Sequence, residues 1–215
     1  MMYIQLWMSS DVSPRPYKSP RRESAATRTR EGIVRTAVGM LGGADGIGGF
    51  SLEAVARKAG VTRLTVYNHF GSRRALLEAV FDERAARGGL QRIADAMSGP
   101  DPETSLKKIV VIFCDFWSFD PGTMGYLHAA AASDPEFNES VGERNERRRH
   151  LLSVLVRRLA EGRTPKARDE LVDVLFALTS FSFFSQLMTR GRTAAAACGL
   201  IDELAMAAVK RIVAD

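Results

Sequence analysis

Cysteine is scarce in this chain. Its only two, Cys114 and Cys198, lie more than eighty positions apart, a spacing that suggests neither a disulfide framework nor a zinc cluster. A reducing, cytoplasmic setting is the expectation. Long apolar runs are lacking as well: stretches such as residues 109–114 and 194–198 fall far short of the ~20 residues needed to cross a bilayer, so no membrane partner is expected. The three histidines, His69, His128 and His150, are scattered. With no G-x-S-x-G, no P-loop and no metal-spaced His cluster, no catalytic residue, cofactor or metal is expected and the chain does not read as an enzyme. Alternating apolar and polar residues never run long enough to suggest a strand, whereas helical spacing recurs from Thr27 onward. The fold class expected is all-α.

What is present is an ordinary globular balance, 46% hydrophobic and 26% charged residues, with the charge unevenly placed. The net charge of +5 resolves into 14 basic and 7 acidic residues over 15–87, against 16 basic and 17 acidic over 88–215. A basic module joined to a larger near-neutral one suits a first part that holds a polyanion and a second part with another task. A basic face that merely meets water is the plain alternative.

Residues 1–26 carry Pro14, Pro16 and Pro20 among Ser, Arg and Lys and read as a flexible N-terminal arm. A short apolar stretch with no basic residues before it and no small-residue cleavage site does not fit a signal peptide. A first helix is expected over 28–41, ended by Gly42-Gly43 and a glycine-rich loop to Phe50. Ser51, Thr62 and Ser72 then read as N-caps of three further helices, ending near Ala59, Phe70 and Arg87. Proline and glycine punctuation beyond residue 88 leaves five segments, 103–119, 124–133, 136–161, 166–190 and 193–213, which makes nine helices in all.

The strongest signal is residues 51–70, SLEAVARKAGVTRLTVYNHF. Two short amphipathic helices separated by a tight turn at Gly60 and Val61 have the spacing of a DNA-binding helix-turn-helix. Ala56 is small where the helices cross, Gly60 can take a positive φ, and Val61 and Val66 plug the gap between them. The second helix exposes Thr62, Arg63, Leu64, Thr65, Tyr67, Asn68 and His69 around Val66 and Phe70. Arginine can pair bidentately with guanine, threonine can reach a phosphate or a thymine methyl, and tyrosine can reach a phosphate. Arg73 and Arg74 open the next helix, where a helix N-terminus already attracts phosphate.

TREGIVRTAVGML followed by GFSLEAVARKAGVTRLTVYNHFGSRRALLEAV resembles the N-terminal domain of the TetR family of bacterial transcriptional regulators, most specifically through T-V-Y-N-H-F. The segment DPEFNESVGERNERRRHLLSVLVRRL is similar to one in that family's ligand-binding domains. The resemblance implies three helices for DNA binding over 27–87 and a helical effector-binding and dimerisation domain over 88–215. It also implies a homodimeric repressor that binds a palindromic double-stranded operator and leaves it when a small molecule binds. Matched by position, Arg63, Leu64 and Thr65 would face bases, while Ser51, Thr62, Tyr67, His69 and Arg73 would touch phosphates. Leu64 stands where the family often has a small residue, and the 42–49 loop is longer and richer in glycine than usual.

In the second part, Phe113, Phe116 and Trp117 recur at i, i+3 and i+4, and Phe176, Phe181, Phe183 and Phe184 cluster later. Aromatics facing one another across helices can line an apolar ligand cavity; singly, each is more simply a core residue. The resemblance favours a cavity bounded by Phe113, Phe116, Trp117 and Phe183, with Trp117, Tyr126, His128, Thr179 and Gln186 as polar edges and an apolar or aromatic effector. The run Arg147 to His150 reads as a solvated helix face paired at i, i+4 with Glu143 and Glu146. Apolar stripes through Val174, Leu178 and Phe181, and through Ile201, Leu204, Ala205, Ala208 and Ile212, suit packing against a second copy in a four-helix bundle. The rival reading is a helical ligand-binding protein or enzyme whose basic N-terminal domain makes protein contacts only.

Overall fold

Helix starts in this chain are written in side-chain caps. Ser51, Thr62, Ser72, Asp101, Asp120, Asp134, Thr164 and Ser180 each accept the backbone N–H of the residue three positions on. Such a cap satisfies one of the donors that a helix start leaves orphaned, typically worth about 1 kcal/mol. Four of these caps are followed at once by proline, at Pro102, Pro121, Pro135 and Pro165, where the missing N–H costs nothing and the fixed φ suits a first turn.

The computed structural model describes residues 20–43, 49–189 and 191–214. Among the described residues there is no strand, and eleven α-helices follow one another: α1 (Pro20–Leu41), α2 (Leu52–Ala59), α3 (Arg63–Phe70), α4 (Arg73–Arg87), α5 (Ile93–Ser98), α6 (Pro102–Phe119), α7 (Pro121–Ser133), α8 (Pro135–Leu159), α9 (Pro165–Leu178), α10 (Phe181–Leu187) and α11 (Ala194–Ala214). The all-α expectation holds, and the expected nine helices become eleven. A short α5 forms behind the 3-10 turn Leu90–Arg92, and the segment expected to be one helix over 166–190 breaks by 53° into α9 and α10. Ser180 causes that break to be stable, because its hydroxyl caps α10 through the Phe183 N–H. Helix α1 begins at Pro20, inside the stretch expected to be a flexible arm. Residues 23–31 of α1 are almost all exposed, so they need no apolar periodicity and offered none to read. Residues 1–19 of the arm and 44–48 of the glycine-rich loop lie outside the described residues.

The core is one continuous apolar cluster. In the first part Ile33, Val34, Ala37 and Leu41 of α1 meet Val55, Ala56, Val66 and Phe70 of α2 and α3 and Leu76, Leu77 and Val80 of α4, all buried. In the second part α6 is central, burying Leu106, Ile109, Val110, Ile112, Phe113, Phe116 and Trp117. Helix α11 packs on α6 and α9, and α8 packs on α7 and α9. Ile201, Ala205 and Ile212, expected to meet a second copy, are buried in the chain's own core, as is Leu178. They sit on the inner face of their helices; of the stripe expected on α11, Leu204 stays exposed, and with Val213 it marks the outer face. Among the described residues no single helix is long and apolar enough to cross a membrane.

Helix α4 touches both parts and is clamped near each end by an N-cap aspartate. Asp134 caps α8 with Oδ1, accepting the Phe137 N–H at 3.1 Å, and with Oδ2 accepts the Arg73 guanidinium at 3.3 Å. Asp120 caps α7 with Oδ1, accepting the Thr123 N–H at 3.1 Å, and with Oδ2 accepts Arg84 at 2.9 Å. Arg84 is 7% exposed and also pairs with Glu83, so its charge is buried but compensated.

The shared carboxylate makes separable predictions. Asp120→Asn keeps a cap but loses the charged acceptor of Arg84, and is expected to cost about 2 kcal/mol in urea unfolding, the range of a hydrogen bond to a charged group. Asp120→Ala loses the cap as well and is expected to cost about 1 kcal/mol more. Equal losses for the two variants would show that the cap contributes nothing.

Candidate nucleic-acid interface and ligand cavity

The α2–α3 unit is held by local bonds. Gly60 sits in the left-handed region at φ 69°, and its N–H donates to the carbonyls of Ala56 and Arg57. Val61 N–H also donates to Ala56 O at 3.0 Å. This closes α2 and turns the chain by a route that disfavours any side chain at Gly60. Thr62 then caps α3 through the Thr65 N–H at 3.0 Å, with the two hydroxyls 2.9 Å apart. Val66 and Phe70 are buried, which fixes the rotation of α3 about its axis.

That rotation turns Thr62, Arg63, Leu64, Tyr67 and Asn68 outward, with Thr65 and His69 half-buried and Ser51 exposed at the start of α2. Leu64 is 66% and Tyr67 57% exposed, the two most exposed large apolar side chains among the described residues. Arg73 is placed differently from the rest. It is half-buried, engaged with Asp134 and bonded to Phe50 O at 3.4 Å, with its guanidinium 5.7 Å from the Phe50 ring. Arg74 pairs with Glu78 at 2.9 Å and with Glu136 at 3.9 Å. Both arginines expected near phosphate are therefore already tied to carboxylates of the same chain.

A cavity of about 400 Å³ lies between α4, α6, α7 and α8, within the range of small-molecule sites. Phe81 and Ala85 of α4, Phe113, Phe116 and Trp117 of α6, and Val141 and Leu151 of α8 supply apolar walls; His128, Asn145, Arg144, Arg147, Arg148 and Asp82 supply the polar ones. Phe113, Phe116, Trp117 and His128 thus share one wall system. Tyr126, Thr179, Phe183 and Gln186 do not line it. Tyr126 donates to Gly43 O at 3.5 Å, at the end of α1. Thr179 lies one layer behind the wall: its carbonyl accepts the Trp117 indole N–H at 3.0 Å, and its hydroxyl accepts Arg148 at 3.2 Å while donating to Leu175 O at 2.8 Å. Phe183 is half-buried in the core margin, and Gln186 is exposed.

The run Arg147 to His150 is not one solvated face. Arg147 and His150 are exposed, and among the described residues neither pairs with Glu143 or Glu146; Arg149 pairs with Asp173, and Arg148 is buried. Arg148 occupies the inward stripe of α8 together with Val141, Leu152, Leu155 and Leu159, a periodicity that could have revealed it. Burial, and then the neighbouring Arg149, push its guanidinium down to about 10. His128 stacks on Phe181 with ring centroids 4.5 Å apart and stands edge-on to Trp117 at 6.1 Å. Its Nε2 is buried with no hydrogen-bond partner among the described residues. Burial, reinforced by the positive Arg148, pushes His128 down to about 4, so it is neutral at physiological pH.

Cys114 and Cys198, far apart in sequence, meet across α6 and α11 as free thiols, and burial pushes both above the ordinary thiol range. Among the described residues no group of three or more His, Cys, Asp or Glu is gathered as a metal site would need.

Residues 34–80, which span the end of α1 to the middle of α4, match the family of bacterial regulatory proteins, tetR family. The chain thus resembles the tetR family over these residues. It is 27% identical over 138 residues to the HTH-type transcriptional regulator EthR of Mycolicibacterium smegmatis, a match that covers 61% of this chain and 59% of that protein. The chain thus aligns with about three-fifths of the length of that curated relative. Solved structures share its fold at lower identity. A putative TetR-family transcriptional regulator from Mesorhizobium loti superposes with a TM-score of 0.60 at 17% identity, covering 88% of this chain and 96% of that one. NalD of Pseudomonas aeruginosa, the secondary repressor of the MexAB-OprM multidrug efflux pump, does so with a TM-score of 0.63 at 21% identity, covering 86% and 96%. A TetR-like regulator from Rhodococcus gives 0.63 at 20%, covering 83% and 93%.

The neutral His128, with its Nε2 buried, carries a pH signature. Between pH 6.5 and 4 the unfolded chain binds a proton at this position that the folded chain refuses, so stability is full above about 6.5 and falls with pH. A shift from 6.5 to about 4 corresponds to a loss on the order of 3 kcal/mol. His128→Gln is expected to flatten that part of the urea-unfolding profile, read as the difference from the unsubstituted chain. Parallel profiles for the two proteins would show that His128 is not held neutral by the fold.

Proposed function

We propose that the chain is a DNA-binding transcriptional regulator, acting as a homodimeric repressor on a near-palindromic operator and released from it by a small molecule in the α4–α6–α8 cavity. Residues 27–87 serve as the reading head and 88–215 as the effector and dimerisation domain. The observation that carries this reading is the outward display of Leu64 and Tyr67 on α3, 66% and 57% exposed. Two bulky side chains kept in water beside Arg63 and Asn68 on a rigidly capped helix suit insertion into a major groove. In this reading Arg63, Leu64 and Thr65 face bases. Ser51, Thr62, Tyr67 and His69 anchor phosphates, and Arg73 exchanges Asp134 for a phosphate when DNA binds.

Charge and the resemblance to the tetR family support the same reading. Residues 15–87 hold 14 basic against 7 acidic residues, a field that concentrates the protein on a polyanion. Phe81, Asp82 and Ala85 of α4 wall the cavity while Arg73 and Arg74 of the same helix stand beside α3, so a molecule in the cavity bears on the last helix of the reading head. The outer face of α11, with Leu204 and Val213 exposed, is the surface assigned to the second copy, because one reading head spans only one half-site.

The test is fluorescence anisotropy on duplexes from upstream of the chain's own gene. Binding is expected to be sequence-specific, with a log–log salt slope of roughly -0.9 per phosphate contacted. Arg63→Ala is expected to cost on the order of 1–3 kcal/mol and to relax preference at one base pair, whereas Tyr67→Phe weakens all sequences alike. Leu204→Arg is expected to shift sedimentation toward monomer and weaken operator binding together. Failure to bind any duplex would leave α3 as a protein-contact surface and sink the proposal.

A further inference from the structure

Two arginines are buried among the described residues, and they are treated differently. Arg84, 7% exposed, lies against Asp120 and Glu83. Arg148, 8% exposed, has no carboxylate within ion-pair distance among the described residues. Its hydrogen bonds go to neutral acceptors: Phe176 O at 3.1 Å, Thr179 Oγ1 at 3.2 Å and Asn145 Oδ1 at 3.3 Å. Those three bonds use two N–H groups of Nη1 and one of Nη2, leaving two of the five guanidinium donors without an acceptor among the described residues.

The face of Phe176, its centroid 4.1 Å from the guanidinium carbon, contributes about 2 kcal/mol at most, and Phe113 at 5.9 Å, near the limit of such contacts, adds less. Desolvating a guanidinium costs several kcal/mol, so neutral acceptors and two rings, one of them distant, leave the charge without a paired anion. Arg148 also lines the cavity with His128, whose buried Nε2 has no partner among the described residues. A positive charge and an unmet histidine nitrogen therefore stand together at the wall of an otherwise aromatic chamber.

We propose that the cavity takes an apolar monocarboxylate, its carboxylate on Arg148 and His128 Nε2 and its hydrocarbon body against Phe113, Phe116 and Trp117. The proposal rests on reading this cavity as the effector site and names the class of effector. A carboxylate supplies the planar two-oxygen acceptor that the guanidinium fork matches. A neutral His128 can donate from Nε2 to one of those oxygens without adding a second charge to be desolvated. The mouth agrees in sign, since Arg144 and Arg147 at the lining outnumber its one carboxylate, Asp82, which is itself bound by Arg144 at 2.7 Å. A cationic ligand would meet only like charge inside, and a wholly apolar one would leave Arg148 as it is.

The experiment titrates the full chain, free of DNA, by calorimetry with two matched pairs: decanoate against decanamide, and phenylbutyrate against phenylbutyramide. In at least one pair the carboxylate is expected to bind about tenfold or more tighter than its amide, as a charged in place of a neutral hydrogen-bonding partner implies. Arg148→Met is expected to erase that preference, whereas Arg147→Met, at the exposed rim, leaves it. Amides that bind as tightly as the acids, a preference that survives in Arg148→Met, or no binding by either acid would overturn the proposal. Should Arg148→Met fail to fold, the acid-to-amide ratio in the unsubstituted chain decides, with Arg148→Lys expected to retain part of it. The same ligands are then added to the protein–duplex complex. Acid binding without DNA release overturns the effector reading and leaves the ligand class standing; release by an amide alone does the reverse.

Discussion

Asp120 and Asp134 each do two things with one carboxylate, and much of the architecture depends on that sharing. One oxygen of each starts a helix, α7 or α8, and the other grips an arginine of α4, Arg84 or Arg73. Helix ends and helix packing are thereby set by the same two side chains. Since an N-cap carboxylate already lies in the positive field of a helix start, it is held in place before the arginine arrives. The pairing then loses less side-chain freedom than two mobile partners would.

Because α4 is clamped near both ends, it can serve two neighbours without belonging wholly to either. Its first turns pack against α1 and α3, beside the exposed surface of Leu64 and Tyr67, while Phe81, Asp82 and Ala85 form part of the cavity wall. Arg73 and Arg84 are not equivalent, however. Arg84 is buried and doubly paired, whereas Arg73 is half-buried with a longer contact to Asp134. Partly exposed pairs are weak, so of the two clamps the one beside α3 is the one a competing anion opens more readily.

The cavity follows a related logic of support from behind. Thr179 ends α9 and touches no cavity space, yet it holds the Trp117 indole through its carbonyl and the Arg148 guanidinium through its hydroxyl. The break between α9 and α10 is what frees that carbonyl, since inside a continuous helix it would be taken by the N–H four residues on. The bend that divides an expected single helix in two is therefore also what orients two walls of the chamber.

Features decided within a few residues were legible from the amino-acid order. The caps at Ser51, Thr62 and Ser72, the left-handed turn at Gly60, and the buried Val66 and Phe70 that turn Arg63, Leu64 and Tyr67 outward all depend on neighbours three or four positions away. Those neighbours are visible in the sequence itself. The start of α1 was not, because an exposed helix has no apolar face to give it a period. What only the tertiary structure decided is which face of each long helix meets which other helix. That choice placed Arg148 inside a cavity instead of on a solvated run, and brought Cys114 to Cys198. It also turned Ile201 and Ile212 into the chain's own core, and left Tyr126, Phe183 and Gln186 away from the chamber they were expected to line. An apolar stripe says that a helix has something to bury; helix crossings, summed over contacts far apart in the chain, say against what.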